Sequence, residues 1–264
     1  MITALDRIKV KVGDLAAATE ATERLLARTL VSNEEEAFVR LDNVALELAP
    51  SDDGSEGLAG LAFEISDADA SFKICQRRAL APSQPVAFAE STGDATREGR
   101  HIDLDVAATF GVATTLTAYA KGLVPPPAKA KTEGAVTGLD HIVIRTTHPN
   151  RAAALYGARL GLDMRLDRTE PKWGARLMFF HCGDLIVEVV HNLADEPSDT
   201  PDKLWGLSWR VKNADAAHAR LKSNGFDISE IRPGRKPGTR VFTVRNNTLG
   251  VPTLFVEPAA ERVA

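Results

Sequence analysis

The sequence repeats itself. Gly60-Leu61-Ala62-Phe63-Glu64-Ile65-Ser66-Asp67-Ala68-Asp69-Ala70 returns as Gly206-Leu207-Ser208-Trp209-Arg210-Val211-Lys212-Asn213-Ala214-Asp215-Ala216. Phe110-Gly111-Val112-Ala113-Thr114 returns as Leu249-Gly250-Val251-Pro252-Thr253, and Leu5-Asp6-Arg7-Ile8 as Leu139-Asp140-His141-Ile142. The order is kept, with offsets of 146, 139 and 134 residues. A chain of 264 residues built this way favours two similar domains, each large enough for its own core. The boundaries read as 1–121 and 137–264. Between them, over 122–136, runs a linker that opens Gly122-Leu123-Val124-Pro125-Pro126-Pro127, Pro-rich and semi-extended. Duplication also permits an internal comparison: a polar residue present in one copy and absent from the other needs its own explanation.

Each copy divides again. Ile8 to Val12 alternates apolar and charged residues as a half-buried strand does. Asp14 is placed to cap a helix over Ala16 to Arg28, and Glu36 to Leu41 and Val44 to Leu48 form strands around an Asp42-Asn43 turn. The same order returns as a strand Leu61 to Ile65, a helix Ala68 to Ala79, and strands Val86 to Ala89, His101 to Val106 and Ala113 to Tyr119. A third unit has strand Ile142 to Arg145, helix Asn150 to Leu160, and strands near Arg165, Arg176 to Phe180 and Leu185 to Val190. A fourth has strand Leu207 to Val211, helix Ala214 to Asn224 stopped by Gly225, and strands near Asp227, Arg240 to Val244 and Thr253 to Val256. The expected fold is α+β, four βαβββ modules in tandem.

Composition removes several classes of function. A net charge of −4 draws the chain to neither nucleic acid nor anionic membrane. No apolar run approaches the roughly 20 residues that span a bilayer, and Met1 to Asp6 lacks the basic start of a signal peptide, so cytoplasm is the default location. Two cysteines, Cys75 and Cys182, read as reduced, partly buried thiols rather than a disulfide framework or zinc site. No Gly-rich phosphate loop or nucleophile elbow occurs.

Four such modules, with the opening Gly138-Leu139-Asp140-His141-Ile142-Val143-Ile144 and the helix Arg151 to Tyr156 leading to Leu160-Gly161-Leu162, resemble the vicinal oxygen chelate superfamily. That superfamily holds glyoxalase I, bleomycin resistance proteins and extradiol dioxygenases. The resemblance implies two paired-module domains, each with a curved mixed sheet around a pocket. It also implies metal ligands from the first and last strands of paired modules. His141 and Glu188 match two of those positions, Gly206 stands at the third, and the fourth falls on Leu254 with Glu257 three residues beyond. Strand residues three apart face opposite ways, so Glu257 reaches a pocket only through a bulge or shifted register. In the first copy Arg7, Gly60 and Thr115 replace the ligands and only Glu47 matches, which suggests an Arg7–Glu47 salt bridge in place of a metal.

The resemblance therefore implies a glyoxalase-like lyase or isomerase acting on a small carbonyl or enolisable substrate. A divalent metal (Zn, Ni, Mn, Fe or Mg) would sit at His141, Glu188 and Glu257. Without a metal, His141 and Glu188 would serve as an acid/base pair or remain as a relic hydrogen bond. A non-catalytic binding protein of the bleomycin-resistance type is the rival reading. Extradiol ring cleavage fits the length but lacks a second histidine at Gly206. The basic loop Arg232 to Arg240 offers Arg235, Lys236 and Arg240 to a substrate anion or is simply a solvated hairpin. Trp173 is placed to line a pocket mouth, and Trp209, at the position of Phe63, belongs to the core. The expected partner is a small molecule, with a homodimer if paired modules are completed between chains.

Overall fold

A computed structural model describes residues 1–92, 95–120 and 126–260; positions 122–125 of the expected linker lie outside them. Two eight-stranded mixed sheets repeat one topology. In the first, the strands are β1 (Ile2–Val12), β2 (Val31–Ser32), β3 (Ala37–Arg40), β4 (Ala45–Pro50), β5 (Gly57–Ile65), β6 (Val86–Thr92), β7 (Ala95–Leu104) and β8 (Thr114–Tyr119). Their order is β2-β3-β4-β1-β5-β8-β7-β6. In the second they are β9 (Val136–Arg145), β10 (Asp163–Glu170), β11 (Ala175–Cys182), β12 (Leu185–Asn192), β13 (Lys203–Val211), β14 (Arg232–Pro233), β15 (Arg240–Val244) and β16 (Thr253–Glu257). The order β10-β11-β12-β9-β13-β16-β15-β14 matches the first sheet position for position. Four helical segments, α1 (Leu15–Leu26), α2 (Ala68–Arg77), α3 (Pro149–Ala153) and α4 (Ala214–Ser223), follow the first strand of each βαβββ module. This is the α+β, tandem-module fold that the repeat implies.

The repeated words of the sequence are structural instructions. In Phe110-Gly111 and in Leu249-Gly250 both residues take left-handed backbone (φ 54 and 101; φ 57 and 69). The following valines, Val112 and Val251, are buried. The threonines that close the motif turn their hydroxyls back onto the valine carbonyls, Thr114 at 2.9 Å and Thr253 at 2.8 Å. The turn carries the chain into β8 and β16, which run parallel to β5 and β13. Gly60 and Gly206 lie where a Cβ would meet the carbonyl oxygens of Ala113 and Pro252, at 3.0 and 2.9 Å. The residues after them, Leu61 and Leu207, donate to those same oxygens. Asp67 and Asn213 cap α2 and α4 by accepting from Ala70 and Ala216. Each shared motif thus serves a turn, a close strand approach or a cap.

Between motifs, alternation sets the faces. On β9 and β12, Ile142, Ile144, Val187 and Val189 are wholly buried, while the intervening His141, Val143, Ile186 and Glu188 lie on the opposite face. Trp209 on β13 and Phe63 on β5 fill equivalent core positions. The helix of the third module departs from the expected regular helix. After α3 it widens into a π-turn over Ala154–Arg159, with the Leu160 amide donating to Leu155 five residues back.

Contacts group the chain into two compact units. One comprises Met1–Lys9, Leu58–Pro126 and His141–Trp205; the other comprises Val10–Gly57, Pro127–Asp140 and Gly206–Ala264. Each unit contains two helices whose C-terminal carbonyls are served by arginines from the partner helix. In the first unit, Arg78 donates to the Arg159 carbonyl at 3.0 Å and Arg159 to the Arg78 carbonyl at 2.9 Å. In the second, Arg24 donates to Asn224, and Arg220 to Leu25 at 2.9 Å. These guanidiniums satisfy carbonyls that a helix end leaves unbonded. Burial lowers the Arg220 guanidinium to about 10. Among the described residues no helix is long and apolar enough to cross a membrane.

Candidate functional site

Parallel pairing of β12 with β9 sets Ile186 beside His141 and Glu188 beside Val143, with all four side chains on one face. His141 Nε2 then lies 3.5 Å from Glu188 Oε2. Phe179 on β11 stands directly across from Glu188, and Leu177 across from Val190. The pair therefore sits on an apolar strip, and Glu188 retains 9% of its surface. A carboxylate held in such a place requires a polar neighbour or proton to offset the lost hydration. His141 is that neighbour, and the first copy holds Arg7 in its place.

Glu257 has a different role from the one expected. The β15–β16 register runs without a shift from Arg240 opposite Glu257 to Val244 opposite Thr253. With no bulge, Glu257 shares a face with Phe255, which stacks on Phe242 under the helix-borne His218. Its carboxylate accepts the Ala214 amide, the first N–H of α4, at 2.6 Å, and lies 3.4 Å from Arg240. Arg240, expected to hold substrate, is likewise committed: its two terminal nitrogens bind Asp215 at 2.8 and 2.7 Å. The first copy has the same clamp between Arg100 and Asp69, at 2.7 Å. A contact kept in both copies belongs to the scaffold.

Arg235 and Lys236 are exposed in the loop between β14 and β15; the Lys236 carbonyl accepts from the Thr239 amide and hydroxyl. His191 is buried with Nδ1 3.2 Å from the Thr146 carbonyl, and His218 Nε2 lies 3.1 Å from the Ser229 carbonyl, so both are structural. Trp173 lines a cavity of about 400 Å³ with Arg145, Val190 and Lys203. Arg145, Lys203 and Trp205 were not singled out by the sequence. The signal for Arg145 was its place four residues from His141 on one strand, hence on the same face.

The donor set does not complete a metal site. A divalent cation needs about three protein ligands, and His141 and Glu188 supply two. Gly206 has no donor, and a side chain there is opposed by the Pro252 carbonyl 2.9 Å from its Cβ. Glu257 is occupied at the end of α4. Among the described residues no group of three or more His, Cys, Asp or Glu is placed to hold a metal ion. The expected trio of His141, Glu188 and Glu257 is corrected accordingly: regular pairing in β16 turns the third member to the helix face.

Comparison with known proteins agrees with this architecture. Residues 140–243 match the family described as the glyoxalase/bleomycin resistance protein/dioxygenase superfamily. The structure is similar to a Mn(II)-bound glyoxalase from Novosphingobium aromaticivorans (14% identity, 97% of this chain and 82% of that one, TM-score 0.72). It is also similar to a 2,2',3-trihydroxybiphenyl 1,2-dioxygenase from Sphingomonas wittichii (16%, 98% and 91%, 0.70). A catechol 2,3-dioxygenase superposes over 100% of this chain and 96% of its own, with 18% identity and a TM-score of 0.69. The fold is the one shared by these glyoxalase and dioxygenase structures. No protein of curated function matches the sequence significantly.

Proposed function

We propose that the protein is a glyoxalase-like enzyme of the lyase or isomerase type, acting on a small enolisable carbonyl compound. The observation that supports this reading is the approach of His141 Nε2 to Glu188 Oε2, 3.5 Å, on an otherwise apolar strip. In the step proposed, the Glu188 carboxylate takes the proton from the carbon beside a carbonyl group. The electron pair of the broken C–H bond moves to the carbonyl oxygen, where charge collects. The His141 imidazole N–H donates a hydrogen bond to that oxygen, and the proton returns from Glu188 to carbon. The reaction needs no oxidant and no third ligand. Similarity to dioxygenases and to a Mn(II)-bound glyoxalase is similarity of fold, and the two-donor set favours proton transfer by the side chains themselves.

The test is proton exchange in D2O, followed by NMR, with pyruvate, hydroxyacetone and a hemithioacetal of methylglyoxal as probes. The wild type exchanges the α-proton of at least one probe. Glu188→Gln slows exchange by about 10²-fold or more, the range expected for loss of a positioned base. Exchange at the wild-type rate in Glu188→Gln refutes the assignment. Probe binding without exchange anywhere in the series establishes the non-catalytic alternative.

A further inference from the structure

The residues that distinguish the second copy from the first extend beyond His141. Arg145 ends β9 on the same face as His141 and Val143. Its guanidinium lies over the Trp205 indole, 4.0 Å from the ring centroid. At the 134-residue offset of the first strands, Lys11 is the counterpart of Arg145. At the 146-residue offset of the module-opening strands, Gly57 and Ala59 are the counterparts of Lys203 and Trp205. The cation on the strand therefore recurs, whereas its aromatic support and the second cation occur once, in the copy that has the histidine. The wall is thus particular to the second copy.

The cavity beside it holds about 400 Å³ and is lined by Arg145, Lys203, Trp173, Val190 and Asp195, with threonines at its rim. Arg145 and Lys203 are the two cations of its lining, and the guanidinium of Arg145 is placed against the Trp205 ring. The lining carboxylate, Asp195, lies 3.4 Å from the Asn192 amide nitrogen. Two cations against one carboxylate leave the cavity net positive. A guanidinium 4.0 Å from an indole centroid is held over the ring by cation–π attraction, and its fork of N–H donors suits a planar, two-oxygen anion. Trp173 and Val190 offer an apolar wall for the body that carries the anion. In the β9–β12 register Val190 is abreast of Arg145 and Glu188 abreast of Val143. Two residues at about 3.3 Å each set the cavity roughly 7 Å along the strands from Glu188.

From this we infer that the cavity is a carboxylate subsite: the protein binds small organic acids with a flat apolar body, seating the carboxylate on Arg145 and Lys203 and the body on Trp173. This deepens the proposed function and rests on it for one point only, that the carbon which loses its proton lies roughly 7 Å from the carboxylate, at Glu188.

Binding is measured apart from turnover. Calorimetry on the full chain compares 3-phenylpropionate with neutral 3-phenylpropanamide at low and high salt. The acid binds at least tenfold more tightly than the amide, and the difference narrows with salt. Arg145→Gln and Lys203→Gln each weaken the acid about tenfold and leave the amide unchanged. Trp173→Ala weakens both. Glu188→Gln still binds the acid, so lost exchange with retained binding separates the base from the subsite. If Arg145→Gln folds poorly, as circular dichroism will show, Lys203→Gln alone decides. Equal affinity for acid and amide, wild-type affinity in the folded cation variants, or no binding of the acid up to 10 mM overturns the inference.

Discussion

Glu257 offers the sharpest separation of two accounts of one residue. As a ligand it would leave stability nearly untouched and control what the site holds; as a clamp it does the reverse. Its Oε2 accepts the first N–H of α4 at 2.6 Å, while Asn213 accepts the third at 3.0 Å. Together they satisfy two of the four donors that a helix start leaves open, and the carboxylate meets the positive end of the helix dipole. Deleting one such hydrogen bond to a charged group costs about 1.5–3 kcal/mol when desolvated. The Glu257 side chain is 25% exposed and Arg240 is 40% exposed and still held by Asp215, so the ion pair adds little. A loss of about 1–2 kcal/mol is expected for Glu257→Ala, which lowers Tm by roughly 2–8 °C in a chain of this size. Glu257→Gln keeps an acceptor oxygen and recovers about half. Differential scanning calorimetry gives the shift, and the exchange assay shows whether the His141–Glu188 site is disturbed. A Glu257→Ala protein with unchanged Tm and abolished exchange would refute the clamp and restore the ligand.

Two further outcomes test the scaffold. Gly206→Ala places a methyl 2.9 Å from the Pro252 carbonyl, a backbone atom that cannot swing aside, so thermal unfolding drops by a few degrees, the cost of about 1–3 kcal/mol of overpacking; a Tm within 1 °C of wild type refutes the close approach. Asp167 is held below the usual carboxylate range by its hydrogen bonds with Arg176, at 2.8 and 2.6 Å. A depressed folded pKa contributes stability above the unfolded value of about 4 and loses it as pH falls through the folded value. In urea titrations Asp167→Asn is therefore less stable than wild type by about 1 kcal/mol or less at pH 7, and the gap closes toward pH 3. A gap of equal size at both pH values contradicts the assignment.

The candidate site was legible where a single strand carries the information. His141 and Glu188 follow from the resemblance and from the anomaly of a carboxylate in Leu185-Ile186-Val187-Glu188-Val189. Trp173 was read as a pocket residue and lines the cavity. Arg240 was offered to a substrate because its sequence neighbours are basic, yet its guanidinium is bound to a helix residue 25 positions earlier. Internal comparison had the means to correct this, since Arg100 and Asp69 stand at the equivalent places in the first copy. Arg145 and Lys203 could not be joined by inspection, because nothing local brings residues of β9 and β13 to one cavity.

Short-range chemistry was written in the chain. Caps, left-handed turns, strand alternation and the repeat of all three depend on neighbours a few residues apart, so their residue types announce them. That is why the four modules, the Asp14 cap and the two Gly-Val-x-Thr turns could be read directly. The tertiary structure decided partnership. Whether Glu257 caps a helix or faces a site depends on an unbroken register with β15 and on the placement of α4. Whether Arg145 is a surface cation or part of a binding wall depends on Trp205, 60 residues away, lying beneath it. An ionisable side chain spends its charge on whichever opposite charge, donor or ring the folded chain brings within a few ångströms, and that neighbour is set by packing across many residues rather than by the residues beside it.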